Sequence, residues 1–161
     1  MKTTKAKGFT LIELIVVIAI IGVLAAILVP TMLGYVTKSR CSSANANAKS
    51  FYNAINSALV DLDSEGVDTS GLDGDVGATT LATSISDTDL ATKVGNYFSD
   101  YTKLNGFAYS IDGGACTAVV VQNGAYYGSY PNPTVVDTPA SGATGVSTQC
   151  KTQPTLTQAG A

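Results

Sequence analysis

Apolar residues follow three patterns along this chain, and each predicts a different element. From Phe9 to Val29 they run almost unbroken, with Thr10, Glu13 and Gly22 the main exceptions. Twenty-one residues at 1.5 Å each make a helix of about 31 Å, enough to cross the hydrocarbon core of a bilayer. After Pro30 the pattern thins to Ala44, Ala48, Phe51, Tyr52, Ile55, Leu59 and Leu62, in steps of three and four. That spacing predicts a single stripe on an amphipathic helix, with Ser42, Asn45, Lys49, Asn53, Asn56 and Asp63 largely off it. The two stretches together predict one long helix over about 9–65. It should be kinked near Pro30, which lacks a backbone donor and clashes with the preceding turn. Gly66 is a stop signal.

The third pattern is short and alternating. Gly66–Asp87 is rich in Gly, Asp, Ser and Thr and reads as loop. Leu90, Val94, Tyr97, Phe98 and Tyr101 return to helical spacing, with Thr88 as amino cap. Phe107, Tyr109 and Ile111 then alternate up to Gly113-Gly114, a turn signal. The β-branched run Cys116–Gln122 ends at Asn123-Gly124, a hairpin signal, and Ala125–Tyr130 would return as a third strand. Pro131, Pro133 and Pro139 mark irregular chain beyond, with a candidate edge strand near Gly145–Gln149. The expected fold class is α+β. A long amino-terminal helix packs on a small antiparallel sheet of three or four strands, with a loop region at 66–105, a β-meander at 106–130 and a carboxyl-terminal loop.

Charge sharpens this division. Lys2, Lys5 and Lys7 all precede Phe9; from there onward six basic residues face twelve acidic ones, against a net charge of −3 for the whole chain of 161 residues. Basic residues before an apolar run favour an orientation with the amino end inside and the carboxyl part outside. The acidic remainder lacks the clustered Lys and Arg that phosphate binding needs, so no direct nucleic-acid binding is indicated. The chain has no His and only three Cys, which removes the usual zinc sites and the commonest general base. No catalytic constellation, cofactor motif or metal-ligand set stands out, and the expectation is a protein that is not an enzyme. Asp61–Gly66 opens like a calcium-binding loop, but Leu72 stands where the bidentate Glu belongs, so a solvated acidic loop is the simpler reading.

Glu13 does not fit a plain membrane anchor. A carboxylate within a span costs a few kcal/mol and normally has a partner, yet the span contains no Lys or Arg. The nearest source of a cation is a free amine made by cutting the chain just upstream.

Lys7-Gly8-Phe9-Thr10-Leu11-Ile12-Glu13-Leu14 closely resembles the prepilin peptidase site of the type IV pilin superfamily, which includes the pseudopilins of type II secretion. The resemblance covers about the first sixty residues. It implies a pilin fold, with residues 1–8 as a leader removed by cleavage between Gly8 and Phe9, and N-methylation of Phe9. It further implies a transmembrane and filament-core helix half at 9–36 and a globular head at 37–161. Glu13 would neutralise the terminal amine of a neighbouring subunit and set assembly register; a buried charge is tolerable when paired. Pro30 matches the family's helix kink. The implied partners are identical subunits in a homopolymer, the prepilin peptidase and methyltransferase, an assembly platform in the cytoplasmic membrane, and membrane lipid before assembly. The implied location is the cytoplasmic membrane as a single-pass precursor, then an extracellular pilus.

Many members of this family carry a disulfide near the carboxyl end. Cys116 and Cys150 would clip the tail onto the sheet, stabilising by about 3 kcal/mol. Cys41 lies on the helix stripe and reads as a small buried residue; with three Cys, other pairings and an intermolecular bond stay open. The densest aromatic patch, Tyr126, Tyr127 and Tyr130, reads as packing at the edge of the core. The expected function is a structural subunit of a type IV pilus. A pseudopilin of a type II secretion or DNA-uptake machine is the alternative, and a single-span anchored protein that does not polymerise is a remote one.

Overall fold

The computed structural model describes residues 8–136 and 149–160. Its order is α1 (Leu11–Ser64), β1 (Gly74–Val76), α2 (Thr88–Tyr97), β2 (Gly106–Asp112), β3 (Ala115–Asn123), β4 (Tyr126–Tyr130) and α3 (Leu156–Gly160), with short 3₁₀ turns at Ser70–Leu72 and Ser99–Lys103. The chain divides into two compact units, one ending at Thr37 and the other beginning at Lys38. The fold is α+β, as expected.

In the first unit every described residue from Gly8 to Val36 is exposed. The helix continues through Pro30, where the proline nitrogen leaves the Ala26 carbonyl without its intrahelical donor. The Thr31 hydroxyl donates to the Leu28 carbonyl nearby, at 2.8 Å.

In the second unit α1 buries Cys41, Ala44, Ala48, Phe51, Ala54, Ile55, Ala58, Leu59 and Leu62, the expected stripe with Ala54 and Ala58 added. The helix ends in a Schellman motif: the Gly66 N–H donates to the Asp63 carbonyl, the Val67 N–H to the Leu62 carbonyl, and Gly66 takes φ +77°. Two carboxylates of the acidic stretch are engaged by α2. The Tyr97 hydroxyl donates to Asp61 at 2.7 Å, and Lys93 pairs with Glu65. Helix α2 is capped by Asp87, which accepts from the Leu90 N–H, and not by Thr88. It stops at Tyr97, so Phe98 and Tyr101 lie beyond it.

The sheet is antiparallel in the order β1-β2-β3-β4. Its first strand lies within the stretch expected to be loop. Residues 145–148 of the expected edge strand, like Pro139, lie outside the described residues, and Gln149 makes an isolated parallel bridge with Val135. Gly113 and Gly114 both take positive φ, as a two-residue hairpin of type I′ requires. At the second hairpin Asn123 pairs with Tyr126, so the turn is Gly124-Ala125, with positive φ at Gly124 alone. The sequence signal was right about the hairpin and one residue early about its centre.

Both sheet faces are covered. Phe107, Tyr109, Ile111, Cys116, Val119 and Val121 join the α1 stripe in the main core. Ala108, Ala118 and Val120 pack on the other face with Leu156 and Ala159 of α3, a helix the sequence reading did not anticipate. Cys116 and Ala118 should share a face by strand alternation, yet they belong to different cores. A bulge resolves this: Ser110 pairs with Ala118 while Ile111 pairs with Cys116, which leaves Thr117 extra. One added residue reverses the faces beyond it.

Two features seat β4 on α1. A Cβ on Gly128 would collide with the Ala44 carbonyl, so only glycine permits this approach. Beside it, Asn45 Oδ1 accepts from the Ser129 N–H and the Thr134 N–H, both at 3.1 Å, and from the Thr134 hydroxyl at 3.0 Å. Asn45 Nδ2 donates to the Thr134 carbonyl at 2.8 Å. Asn56 does similar work farther along, accepting from the Cys116 N–H at 3.0 Å.

Candidate processing and assembly site

Gly8, Phe9 and Thr10 precede the first helical residue, Leu11. A peptidase needs extended, accessible backbone, and Gly8-Phe9 lies outside regular structure, with the Phe9 side chain 87% exposed. Nothing packs where a Gly8 side chain would project.

Glu13 makes its bonds within its own turn. Its Oε2 accepts from the Thr10 N–H at 2.8 Å and from the Thr10 hydroxyl at 2.6 Å. The Glu13 N–H points back at Thr10 Oγ1, 3.4 Å away. This is a capping box, in which two residues three apart satisfy each other's open groups at a helix start. The negative charge also sits where the helix dipole favours it. The pattern Thr10-x-x-Glu13 announces the box in the sequence, and the reading of Glu13 as an unpartnered acid overlooked it.

The remaining candidate residues do not gather here. Pro30 lies inside α1, and Cys116 and Cys150 belong to the second unit. All three cysteines are buried free thiols. Cys116 and Cys150 are not brought together, contrary to the expected clip. The Cys116 N–H bonds Asn56, whereas the Cys150 N–H bonds Val135, next to the Thr134 that the Cys41 sulfur touches. Positions 41 and 56 of a helix are about 22 Å apart, far beyond the roughly 7 Å that a disulfide can bridge. The tyrosines behave as expected of a core edge: Tyr130 packs on Tyr52 at 4.8 Å, and Lys151 lies over Tyr126. Among the described residues no group of three or more His, Cys, Asp or Glu could hold a metal ion.

The prokaryotic N-terminal methylation motif matches residues 3–29. The first third of the chain is similar to the type IV major pilin protein PilA of Myxococcus xanthus, 46% identical over 57 residues, which is 35% of this chain and 26% of that protein. It is likewise similar to a type IV major fimbrial protein FimA of Dichelobacter nodosus, 46% identical over 55 residues, 34% of this chain and 35% of the relative. With the type IV major alpha-pilin of Moraxella bovis it shares 47% over 53 residues, 33% of each chain. The matched stretches span about a quarter to a third of these relatives. No solved structure matches the chain. The methylation motif and these relatives make the amino-terminal third of the chain similar to the type IV pilins, and an α+β head built on a long amino-terminal helix agrees with the fold that this similarity implies.

Proposed function

We propose that this chain is a structural subunit of a type IV pilus. Residues 1–8 are its leader, 9–36 its membrane and filament-core helix, and 37–161 its head. The precursor sits in the cytoplasmic membrane with the head outside. Prepilin peptidase cuts between Gly8 and Phe9, and the new Phe9 amine is methylated. An assembly platform then moves the subunit from lipid into a homopolymer at the cell surface. The observation that carries this reading is the run from Phe9 to Val36: apolar on all sides, exposed throughout, and opening on a processing motif. Such a surface needs lipid or copies of itself around it. The relatives named above are major pilins and fimbrial proteins, which favours the pilus over a secretion pseudopilin.

In the filament Glu13 exchanges its Thr10 partners for the Phe9 amine of a neighbour, and Pro30 is where the helix yields. Mass spectrometry of filaments sheared from cells tests the proposal. The expected result is abundant chain beginning at methylated Phe9. Chain that begins at Met1, or no filament containing it, would refute the reading.

A further inference from the structure

The three cysteines divide into a pair and a single, and the division differs from the one expected of the family. Cys41 and Cys150 are both buried, at 3% and 1% exposure. They meet around Thr134-Val135. The Cys41 sulfur lies 3.7 Å from both the carbonyl oxygen and the hydroxyl of Thr134. The Cys150 N–H donates to the Val135 carbonyl at 2.8 Å, and the Cys150 carbonyl accepts from the Tyr127 N–H at 2.7 Å. Asn45, one turn after Cys41, makes four hydrogen bonds to this part of the chain. Three of these are to Thr134 itself and the fourth fixes Ser129 beside it. The backbone on both sides of the two thiols is thereby fixed, with Cys150 bonded to Val135 immediately after the Thr134 that Cys41 touches. Cys116 is held elsewhere, donating its S–H to the Ala118 carbonyl at 3.6 Å.

We propose that Cys41 and Cys150 are joined by a disulfide in the exported protein, tying the carboxyl-terminal tail to α1, while Cys116 remains a thiol. The bond requires an oxidant, which is an exogenous disulfide: a thiol–disulfide oxidoreductase or a small-molecule disulfide. One thiolate of the pair attacks a sulfur of the oxidant and expels a thiolate, leaving a mixed disulfide. The second thiolate attacks the protein sulfur of that mixed disulfide and expels the other half. The pair loses two protons and two electrons, and the oxidant leaves as two thiols. Burial, with the neighbouring Cys41 thiol, pushes the Cys150 thiol up to about 12. Thiolate is therefore scarce once the tail has docked, and oxidation belongs to the folding chain. The proposal is independent of the pilus reading, since it needs only export of the second unit to an oxidising compartment.

The test uses the full-length chain, reduced and unfolded in urea with detergent, then refolded into micelles in mixed oxidised and reduced glutathione. Free thiols are alkylated under denaturing conditions. Trypsin followed by a protease cutting before Asp112 and Asp137 places the three cysteines on separate peptides. The expected result is loss of two of the three alkylatable thiols. The Cys41 peptide should be linked to the Cys150 peptide, and Cys116 alkylated. C116S should keep the link. Alkylation of all three thiols, or a predominant link involving Cys116, would overturn the proposal.

Discussion

Residues 9–36 and residues 41–62 contribute to the same helix and meet opposite surroundings. The first stretch presents Leu, Ile and Val around its whole circumference, and all of it is exposed. The second presents apolar residues along one stripe, and that stripe is buried. Helix formation is common to both, so it cannot be what distinguishes them. The arrangement of polar residues does. Asn and Ser in the second stretch confine its apolar side chains to a face that one sheet can cover. Nothing confines those of the first, and no sheet face could cover them.

The largest effect that tests this contrast is in the head. Phe51 is fully buried and packs on Phe107 at 4.9 Å between centroids, with Phe98, Tyr101 and Tyr109 around it. Phe51→Ala should lower head stability by about 3–5 kcal/mol in urea titrations of the full chain in micelles. The matched change Leu24→Ala, in the exposed stretch, should move the same transition by less than about 0.5 kcal/mol. Equal effects would abolish the distinction. An intermediate effect is expected for Asn45→Ala, which strips three donors of their acceptor. A loss of about 2 kcal/mol should accompany faster amide exchange at Ser129 and Thr134; unchanged exchange would show that Asn45 does not seat β4. Smaller than the Asn45 effect is that of Thr10→Ala, which removes the capping hydroxyl at a cost of about 1 kcal/mol to the helix start. Its signature is faster amide exchange at Glu13 and Leu14 with the head transition unmoved.

The sequence reading succeeded where a pattern has one physical cause. The α1 stripe, the β2–β3–β4 meander and the Gly113-Gly114 turn follow from burial periodicity and from positive φ. Strand β1, only three residues long and set among Gly and Asp, has no such cause of its own. It exists because β2 offers it a partner. Helix α3 is also short, at five residues, and Leu156 and Ala159 are meaningful only against Ala108, Ala118 and Val120. Asn45 and Asn56 looked like solvated off-stripe residues, since nothing local says that their amides answer backbone groups about sixty to ninety positions away. The cysteine pairing failed for the same reason. Family habit pointed to Cys116, while contact with the helix is decided by which turn of α1 the tail meets.

The Thr10–Glu13 box bears on supply as well as on structure. A chain waiting in a bilayer would carry both donors for its carboxylate within four residues of itself, whether one copy is present or thousands. Its residence there would therefore be independent of crowding. On the proposed assembly step, concentration would enter only afterwards, when the amine of another copy would have to displace Thr10. A reservoir of this kind would fill without draining itself, because the step proposed to empty it is second order and the bonds that maintain it lie within one chain.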